Sequence, residues 1–190
     1  MRFGKKTIII LILVFIASCV GGFFYANIRR DKALYDDTKY DRSSLTDNFA
    51  VYEGNDYSFT FTCEMNRLRG IKGVFACPGE TNGYLYYSIS STSGEVLGEG
   101  RVKISSLKSG RFTFLGFKEI KESAGKDFTI TLSCDHSEDN PVMVKFVPDS
   151  SVPGFCYTYL EWSLTNMIMF VFCIAFLTVF VFVLIKIFRK

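Results

Sequence analysis

Two long apolar stretches without a single charged residue constrain the fold of this chain more than any other feature. They cover residues 7–28 and 163–185. A helix of about 20 apolar residues spans the hydrocarbon core of a bilayer, so we predict a transmembrane α-helix over each stretch. Residues 29–162 lie between them and are enough for one domain with a hydrophobic core, but not comfortably for two.

Basic residues at the outer ends of the two stretches predict the topology. They are Arg2, Lys5, Lys6, Lys186, Arg189 and Lys190. Short basic flanks stay in the cytoplasm, so we expect the tails 1–6 and 186–190 to be cytoplasmic and the middle segment to be extracytoplasmic. Tyr157, Tyr159 and Trp162 precede the second stretch, where aromatic residues usually meet the outer headgroups.

The first stretch has two alternatives to an uncleaved membrane anchor. A basic start followed by an apolar run also describes a cleaved signal peptide. The sequence Ile16-Ala17-Ser18-Cys19 resembles the bacterial lipobox, whose cysteine is lipidated after cleavage. A mature lipoprotein usually turns polar directly after that cysteine, whereas this chain stays apolar to Ile28. We therefore favour the uncleaved anchor over lipidation at Cys19.

The distribution of charge excludes two classes of protein. All 19 acidic residues lie in the middle segment, which is net negative although the whole chain carries +3. A nucleic-acid-binding protein would gather positive charge on its folded domain, so no nucleic-acid partner is expected. The two apolar stretches exclude a cytosolic enzyme, and the predicted partner of the chain's ends is the lipid bilayer.

Alternation of apolar and polar residues recurs through the middle segment, as it does in half-buried β-strands. Glycine turns such as Asn82-Gly83 and Ser93-Gly94 separate the runs. Many short strands at close spacing indicate an all-β antiparallel sandwich, jelly-roll-like, which we place at 49–147 between linkers at 29–48 and 148–162. The alternating runs, followed by the shorter candidate strands, are 57–63, 84–89, 112–115, 128–133, 142–146, 72–76, 95–98 and 102–105.

Four of the six cysteines lie outside the apolar stretches, namely Cys63, Cys77, Cys134 and Cys156. An even number in an oxidising compartment suggests two disulfides, and four cysteines allow three pairings. We favour Cys63–Cys77 with Cys134–Cys156 because these pairs are nearest in sequence, with unpaired core cysteines as the alternative. A zinc site is disfavoured because it needs ligand pairs about two to four residues apart.

Few residues predict catalysis. His136 is the only histidine, and a nucleophile with a general base would have to use it. It lies in the acidic run 135–141, which is typical of a solvated hairpin tip; calcium binding through its carboxylates is the alternative. No paired carboxylates, phosphate loop or nucleophile elbow stand out, so we predict a protein that is not an enzyme and has no cofactor and no metal.

Two tyrosines are the best candidates for a binding site. Tyr84 and Tyr86 alternate with Leu85, Tyr87 and Ile89, so they should share one face of a strand. Tyrosine offers a flat apolar face with a polar tip, which suits stacking on a sugar ring. If that face points outward, the pair forms a binding strip; the alternative is that it packs against the second sheet or a loop.

Part of the middle segment resembles a known group of modules. The sequences that carry the resemblance are GYLYYSI at 83–89, SGEVL at 93–97, FTF at 112–114 and SAGKDFTI at 123–130. They are similar to the outer jelly-roll-like modules of bacterial membrane proteins that build or export surface polysaccharides. The resemblance implies the outer module only, since this chain lacks the many spans and the catalytic acidic loop of such glycosyltransferases.

These observations lead to one principal hypothesis and two alternatives. The principal hypothesis is a bacterial envelope protein with a non-catalytic outer domain that docks to a surface polysaccharide or a membrane protein partner during glycan assembly. The first alternative is a structural or sensory subunit that binds only a membrane protein. The second is an envelope glycan hydrolase that uses carboxylates of the outer domain.

Overall fold

The computed structural model describes residues 5–77, 79 and 82–188. Residues 1–4 and 189–190 of the predicted tails lie outside the described residues. The chain divides into a helical unit, which ends at Arg29 and resumes at Glu161, and a sheet unit over Arg30–Leu160. The elements are α1 (Lys5–Tyr25), β1 (Asn27–Ala33), β2 (Thr46–Val51), β3 (Tyr57–Cys63), β4 (Leu68–Ala76), β5 (Tyr84–Ser91), β6 (Val96–Lys103), a 3₁₀ turn (Ile104–Ser106), β7 (Phe112–Ile120), β8 (Lys126–Cys134), β9 (Val142–Phe146), β10 (Phe155–Trp162) and α2 (Leu164–Phe188).

Helix α2 is the candidate membrane span of the helical unit. Its segment Leu164–Leu184 has a mean hydropathy of 3.0 and is long and apolar enough to cross a membrane. The helix begins where the Ser163 hydroxyl accepts a hydrogen bond from the N–H of Asn166 at 3.3 Å, as an N-cap does. In α1 the apolar part, Ile9–Tyr25, is shorter, so the span predicted over 7–28 stays a prediction.

Two glycines let α1 and α2 pack closely within the helical unit. A Cβ atom added at Gly21 would lie 3.0 Å from the ring of Phe170, and one at Gly22 would lie 3.3 Å from the carbonyl oxygen of Met167. Small residues at such positions allow helix backbones to approach each other in a membrane. A larger side chain at Gly22 would press on the backbone of α2, whereas one at Gly21 would first displace the ring of Phe170.

The sheet unit contains two mostly antiparallel sheets, as predicted for the middle segment. One sheet has the strand order β1-β10-β4-β9-β2, with β7 also paired to β4. The other has the order β3-β8-β5-β6. Buried side chains of both sheets form a single hydrophobic cluster, so each sheet stabilises the other by removing apolar surface from water. The fully buried members include Leu68, Ile71, Phe75, Leu85, Ile89, Leu115, Phe128, Ile130, Leu132, Phe155 and Tyr157.

The structure confirms the strands that were predicted from alternating apolar and polar residues. The runs beginning at 57, 84, 112, 128 and 142 all lie in strands, and Gly83 and Gly94 in the separating turns have φ values of +86° and +83°. The two short strands predicted at 95–98 and 102–105 fall mostly in one continuous strand, β6, while residues 104 and 105 belong to the 3₁₀ turn.

Both segments that the sequence predicts as linkers contain β-strands in the structure. The 29–48 linker contains most of β1, and the 148–162 linker contains β10. Residues 155–158 are all buried, so β10 lacks the polar alternation that marks a strand with one exposed face. Tyr157, expected near the outer headgroups, is instead buried in the core with 1% of its surface exposed.

The chain between β1 and β2, residues 34–45, is ordered by a second, smaller cluster on the six-stranded sheet. Leu45, Val74 and Val147 are buried there, and Tyr35 and Tyr40 pack against them. Val74 follows Gly73 and precedes Phe75, which belongs to the main core, so Val74 faces the opposite side of β4. We call residues 34–45 the cover segment.

The buried hydroxyl of Ser123 is expected to stabilise the turn before β8. It donates to the carbonyl oxygen of Met65 at 2.7 Å and accepts from the N–H of Leu68 at 3.2 Å. Ser123→Ala removes the acceptor of the buried Leu68 N–H and leaves the Met65 carbonyl with the Cys63 thiol as a donor, so the free energy of unfolding should fall by about 1–3 kcal/mol. Denaturant unfolding of the full chain in detergent, followed by the circular dichroism of the sheets, measures this loss.

The matched control is Ser151→Ala, because Ser151 is exposed. It should change the free energy of unfolding by no more than about 0.5 kcal/mol. Equal effects of the two substitutions would contradict a specific role of the Ser123 hydroxyl.

Candidate functional site

The outward face of the four-stranded sheet is rich in hydroxyl groups. Side chains from neighbouring strands pair across it, with Ser58 and Thr131 3.0 Å apart and Thr60 and Thr129 2.8 Å apart, oxygen to oxygen. In the same sheet, the apolar residues of β3 and β8 alternate inward to the core. The result is a pleated surface of hydrogen-bonding groups, which we call the hydroxyl face.

Tyr84 and Tyr86 lie on the hydroxyl face, as their alternation predicts. Leu85, Tyr87 and Ile89 are buried on the inward side of β5. Tyr86 is 37% exposed and Tyr84 is half-buried. The centroids of the two outward rings are 6.2 Å apart, with an angle of 46° between the ring planes. The neighbouring side chains therefore leave much of the Tyr86 ring open to solvent.

Strand β6 adds charged groups beside the tyrosines. Its register places Arg101 opposite Tyr86 and Lys103 opposite Tyr84, while Glu99 lies opposite Ser88. The guanidinium carbon of Arg101 lies 4.4 Å from the centroid of the Tyr84 ring. A cation over an aromatic face at an exposed site is worth about 0.5–1 kcal/mol, so this contact orients both side chains.

A shallow groove of about 340 Å³ runs beside these residues. This volume is within the range of roughly 300–1,000 Å³ that is usual for small-molecule sites. We call it the tyrosine groove, and it is lined by Tyr86, Tyr87, Ser88, Glu99, Gly100, Arg101, Thr131 and Ser133. Aromatic, hydroxyl and charged groups thus meet in one concave part of the hydroxyl face.

The chain before β5 fixes the first tyrosine. Gly83 has a φ of +86°, a conformation that glycine adopts without strain. A Cβ atom at Gly83 would collide with the carboxylate of Asp135. That carboxylate accepts a hydrogen bond from the backbone N–H of Tyr84 at 3.0 Å, and it thereby ties the start of β5 to the end of β8.

Two glycines in β6 leave room for large side chains of the core beneath the tyrosine groove. A Cβ atom at Gly100 would collide with the hydroxyl group of Tyr87, and one at Gly98 would lie 2.6 Å from Cβ of Phe117. Tyr87 points inward, and its hydroxyl donates to the carbonyl oxygen of Gly116 at 2.7 Å. The glycines are therefore needed where large rings from the core approach the backbone of β6.

The sequence interpretation identifies the tyrosines and misses the charged strand beside them. Gly98 and Gly100 suggest a break between two short strands, which leaves Glu99 and Arg101 in no strand. The period-two spacing of Glu99, Arg101 and Lys103 is the available signal, since all three are exposed on one face of β6.

His136 connects two turns at one end of the sheet unit. Its Nδ1 lies 2.8 Å from the carbonyl oxygen of Asn140, and its Nε2 contacts the carbonyl oxygen of Asn82. The ring is buried and engaged at both nitrogens, which is the setting of a structural residue. Among residues 5–77, 79 and 82–188, no group of three or more His, Cys, Asp or Glu side chains is arranged to hold a metal ion, so the calcium alternative for the run 135–141 gains no support.

The six cysteines are all free thiols in the structure, so it confirms neither of the two predicted disulfides. The strand geometry disfavours the pairing that sequence distance suggests. Cys63 is the last residue of β3 and lies opposite Lys126. Strand β4 begins shortly after it, and Cys77 follows the last residue of β4, so the length of β4 separates the two cysteines. Cys156 alternates with Phe155 and Tyr157 of the main core, so it faces away from the interior into which Cys134 points.

Comparison with known proteins adds no family to this description. No protein-family model matches the chain, and no curated protein matches it significantly. The resemblance of residues 83–130 to polysaccharide-assembly modules therefore stays a prediction.

The stability of the sheet unit should decline at alkaline pH in part through Cys156. Burial raises the pKa of this thiol from 9.0 to about 12, so the native state holds the proton more tightly than the unfolded chain. The resulting stabilisation is present below pH 9 and is lost as the pH rises towards 12, by up to about 1.4 kcal/mol per pH unit. Unfolding free energies measured between pH 8 and pH 11 should fall less steeply for Cys156→Val than for the wild type.

Ser151→Ala, at an exposed position of the sheet unit without a titratable side chain, provides the control. It should keep the wild-type slope of unfolding free energy against pH. Identical slopes for Cys156→Val and the wild type would show that the Cys156 thiol does not contribute to the alkaline loss.

Proposed function

We propose that this protein is a non-catalytic docking protein of the bacterial cell envelope that binds a surface polysaccharide through the tyrosine groove. In this proposal the sheet unit is a jelly-roll-like sandwich that serves as an accessory module in glycan assembly. The observation that carries the proposal is the outward-facing tyrosine pair, with Tyr86 exposed, beside a groove of hydroxyl and charged groups.

The chemistry of the groove suits a sugar ring. A pyranose has an apolar face of C–H groups, which can stack on the flat face of Tyr86, and an edge of hydroxyl groups. Ser88, Thr131 and Ser133 line the groove, and each hydroxyl can donate and accept a hydrogen bond. Glu99 and Arg101 add a strong acceptor and a strong donor, so the polar groups of a sugar find partners on several sides.

The shape of the site suits a chain of sugars better than one small substrate. The groove is open along the hydroxyl face, where the paired hydroxyls of β3 and β8 continue the polar surface. Binding would then be spread over several sugar rings, each with a modest contribution. No catalytic role is assigned to Glu99, because a docking function needs only its hydrogen bonds.

The proposed topology places this face outside the cell. Both apolar stretches would cross the membrane, with α2 as the second span and both tails in the cytoplasm, since short basic flanks are retained there. The first stretch would be an uncleaved anchor. The sheet unit would then be extracytoplasmic, in the compartment where polysaccharide and membrane protein partners are available.

Replacing the tyrosine pair is the direct test. We expect the full-length protein in detergent to bind a polysaccharide fraction from bacterial envelopes, and Tyr84→Ala/Tyr86→Ala to bind it at least about tenfold more weakly, since buried aromatic anchors carry most of the energy of an interface. Isothermal calorimetry measures the affinity, and circular dichroism checks that the sheets are intact.

Phe114→Ala is the matched control, because Phe114 is 38% exposed and lies on β7, outside the four-stranded sheet. It should bind the fraction like the wild type. Unchanged binding by the double tyrosine variant would overturn the site, and failure of the wild type to bind any envelope polysaccharide would overturn the ligand class.

A further inference from the structure

Cys77 points into the core at one end of the six-stranded sheet. Phe75 and Ala76 of β4 lie opposite Val144 and Met143 of β9, so the next residue, Cys77, comes beside Val142. Because side chains alternate along the chain, Cys77 has the orientation of Phe75. It is half-buried and packs against the main core.

Cys134 reaches the same place from the facing sheet. It ends β8, and its Sγ donates to the carbonyl oxygen of Val51 at 3.2 Å. Val51 is the partner of Val142 in the β2–β9 pair. The backbone N–H groups of His136 and Val142 also face this sulfur. The Cys134 side chain therefore crosses the interior and touches the opposite sheet.

The side chains of Cys77 and Cys134 therefore both lie close to Val142. Facing sheets are usually about 10 Å apart, but at this end the sulfur of one sheet is in hydrogen-bond contact with the backbone of the other. Burial and, to a smaller extent, the negative charge of a Cys134 thiolate raise the pKa of Cys77 to about 11. The thiols are therefore close enough to feel each other's charge.

The other cysteines of the sheet unit are excluded as partners by their positions. Cys63 lies at the opposite end of the four-stranded sheet, since Cys63 is opposite Lys126 while Cys134 is opposite Leu85. Cys156 is buried on the outer side of the six-stranded sheet, where burial and, to a smaller extent, the charge of a Cys156 thiolate raise the pKa of Tyr35 in the cover segment. Disulfide formation needs Cα atoms about 4.4–6.8 Å apart, which neither position allows with Cys77 or Cys134.

We infer that Cys77 and Cys134 are a disulfide site that links the two sheets covalently when the protein meets a disulfide oxidant. The half-exposed Cys77 reacts first: its thiolate attacks one sulfur of oxidised glutathione and releases one glutathione thiolate. The Cys134 thiolate then attacks the Cys77 sulfur of this mixed disulfide and releases the second glutathione. Two protein thiols lose two protons and two electrons, and one glutathione disulfide becomes two thiols.

The site needs no change of topology. Its bond would close a loop from β4 to β8 that contains the whole of β5, β6 and β7. Closing a long loop restricts the unfolded chain, so the oxidised protein should resist denaturant more than the reduced protein. The link would also hold the turn before Tyr84, whose Gly83 lies beside Asp135.

The test uses the full-length protein in detergent. The protein is first reduced with dithiothreitol, freed of reductant and incubated with oxidised glutathione at pH 8.5, because thiolates are the attacking species. It is then denatured, its free thiols are alkylated, and its peptides are mapped by mass spectrometry. We expect a peptide linked through Cys77 and Cys134, with Cys63 and Cys156 alkylated.

Single substitutions identify the partners. Cys77→Ser and Cys134→Ser should each abolish the linked peptide, while Cys63→Ser and Cys156→Ser should retain it. The oxidised wild type should unfold at a higher denaturant concentration than the reduced protein, and dithiothreitol should reverse this difference. The wild-type peptide map needs no variant, so it remains decisive if a substitution prevents folding.

Three results would overturn the inference. They are complete alkylation of Cys77 and Cys134 after oxidation, a Cys77–glutathione disulfide that does not proceed to the protein disulfide, and linkage of either residue to Cys63 or Cys156.

Discussion

Burial of the inward side chains of β5 determines which of its side chains face outward. Leu85, Tyr87 and Ile89 enter the core between the sheets, and this burial directs Tyr84 and Tyr86 outward. A shift of the strand by one residue would exchange the two sides, exposing the aliphatic residues and burying the outward tyrosines. The core therefore specifies the register of the strand, and the register specifies the tyrosine groove.

The same core explains the small residues around the groove. Large rings such as Tyr87 and Phe117 lie directly under the backbone of β6, and only glycine leaves room for them at Gly98 and Gly100. Glu99 and Arg101 alternate with these glycines and so project from the hydroxyl face. Packing inside the sheet unit and the arrangement of charge on its surface are thus two consequences of one strand sequence.

Much of the sheet unit could be predicted from the sequence, because strands with one wet face show period-two alternation. The run at 57–63 and the outward position of Tyr86 are examples. Strand β10 escaped detection because its first four residues, 155–158, are all buried, which removes the alternation. Arg101 was missed because the glycines beside it are typical of turns, and their packing role depends on rings that are distant in sequence.

The positions of the cysteines relative to one another could not be predicted from the sequence, for a different reason. Distance along the chain favours Cys63–Cys77, but β4 separates the two by its full length, and alternation sends Cys156 to the opposite side of its sheet from Phe155. Pairing depends on the register of strands that are far apart in sequence, such as β4 with β9, and no local pattern reports that register.

In the proposed topology, the hydroxyl face lies outside the cell with its side chains open to solvent. Glu99→Cys places a thiol on that face, and a membrane-impermeant maleimide can then be applied to intact cells that produce the variant. We expect labelling above the wild-type level without permeabilisation. Labelling that requires permeabilised cells would contradict the topology, and absence of labelling in both conditions would contradict the outward orientation of the face.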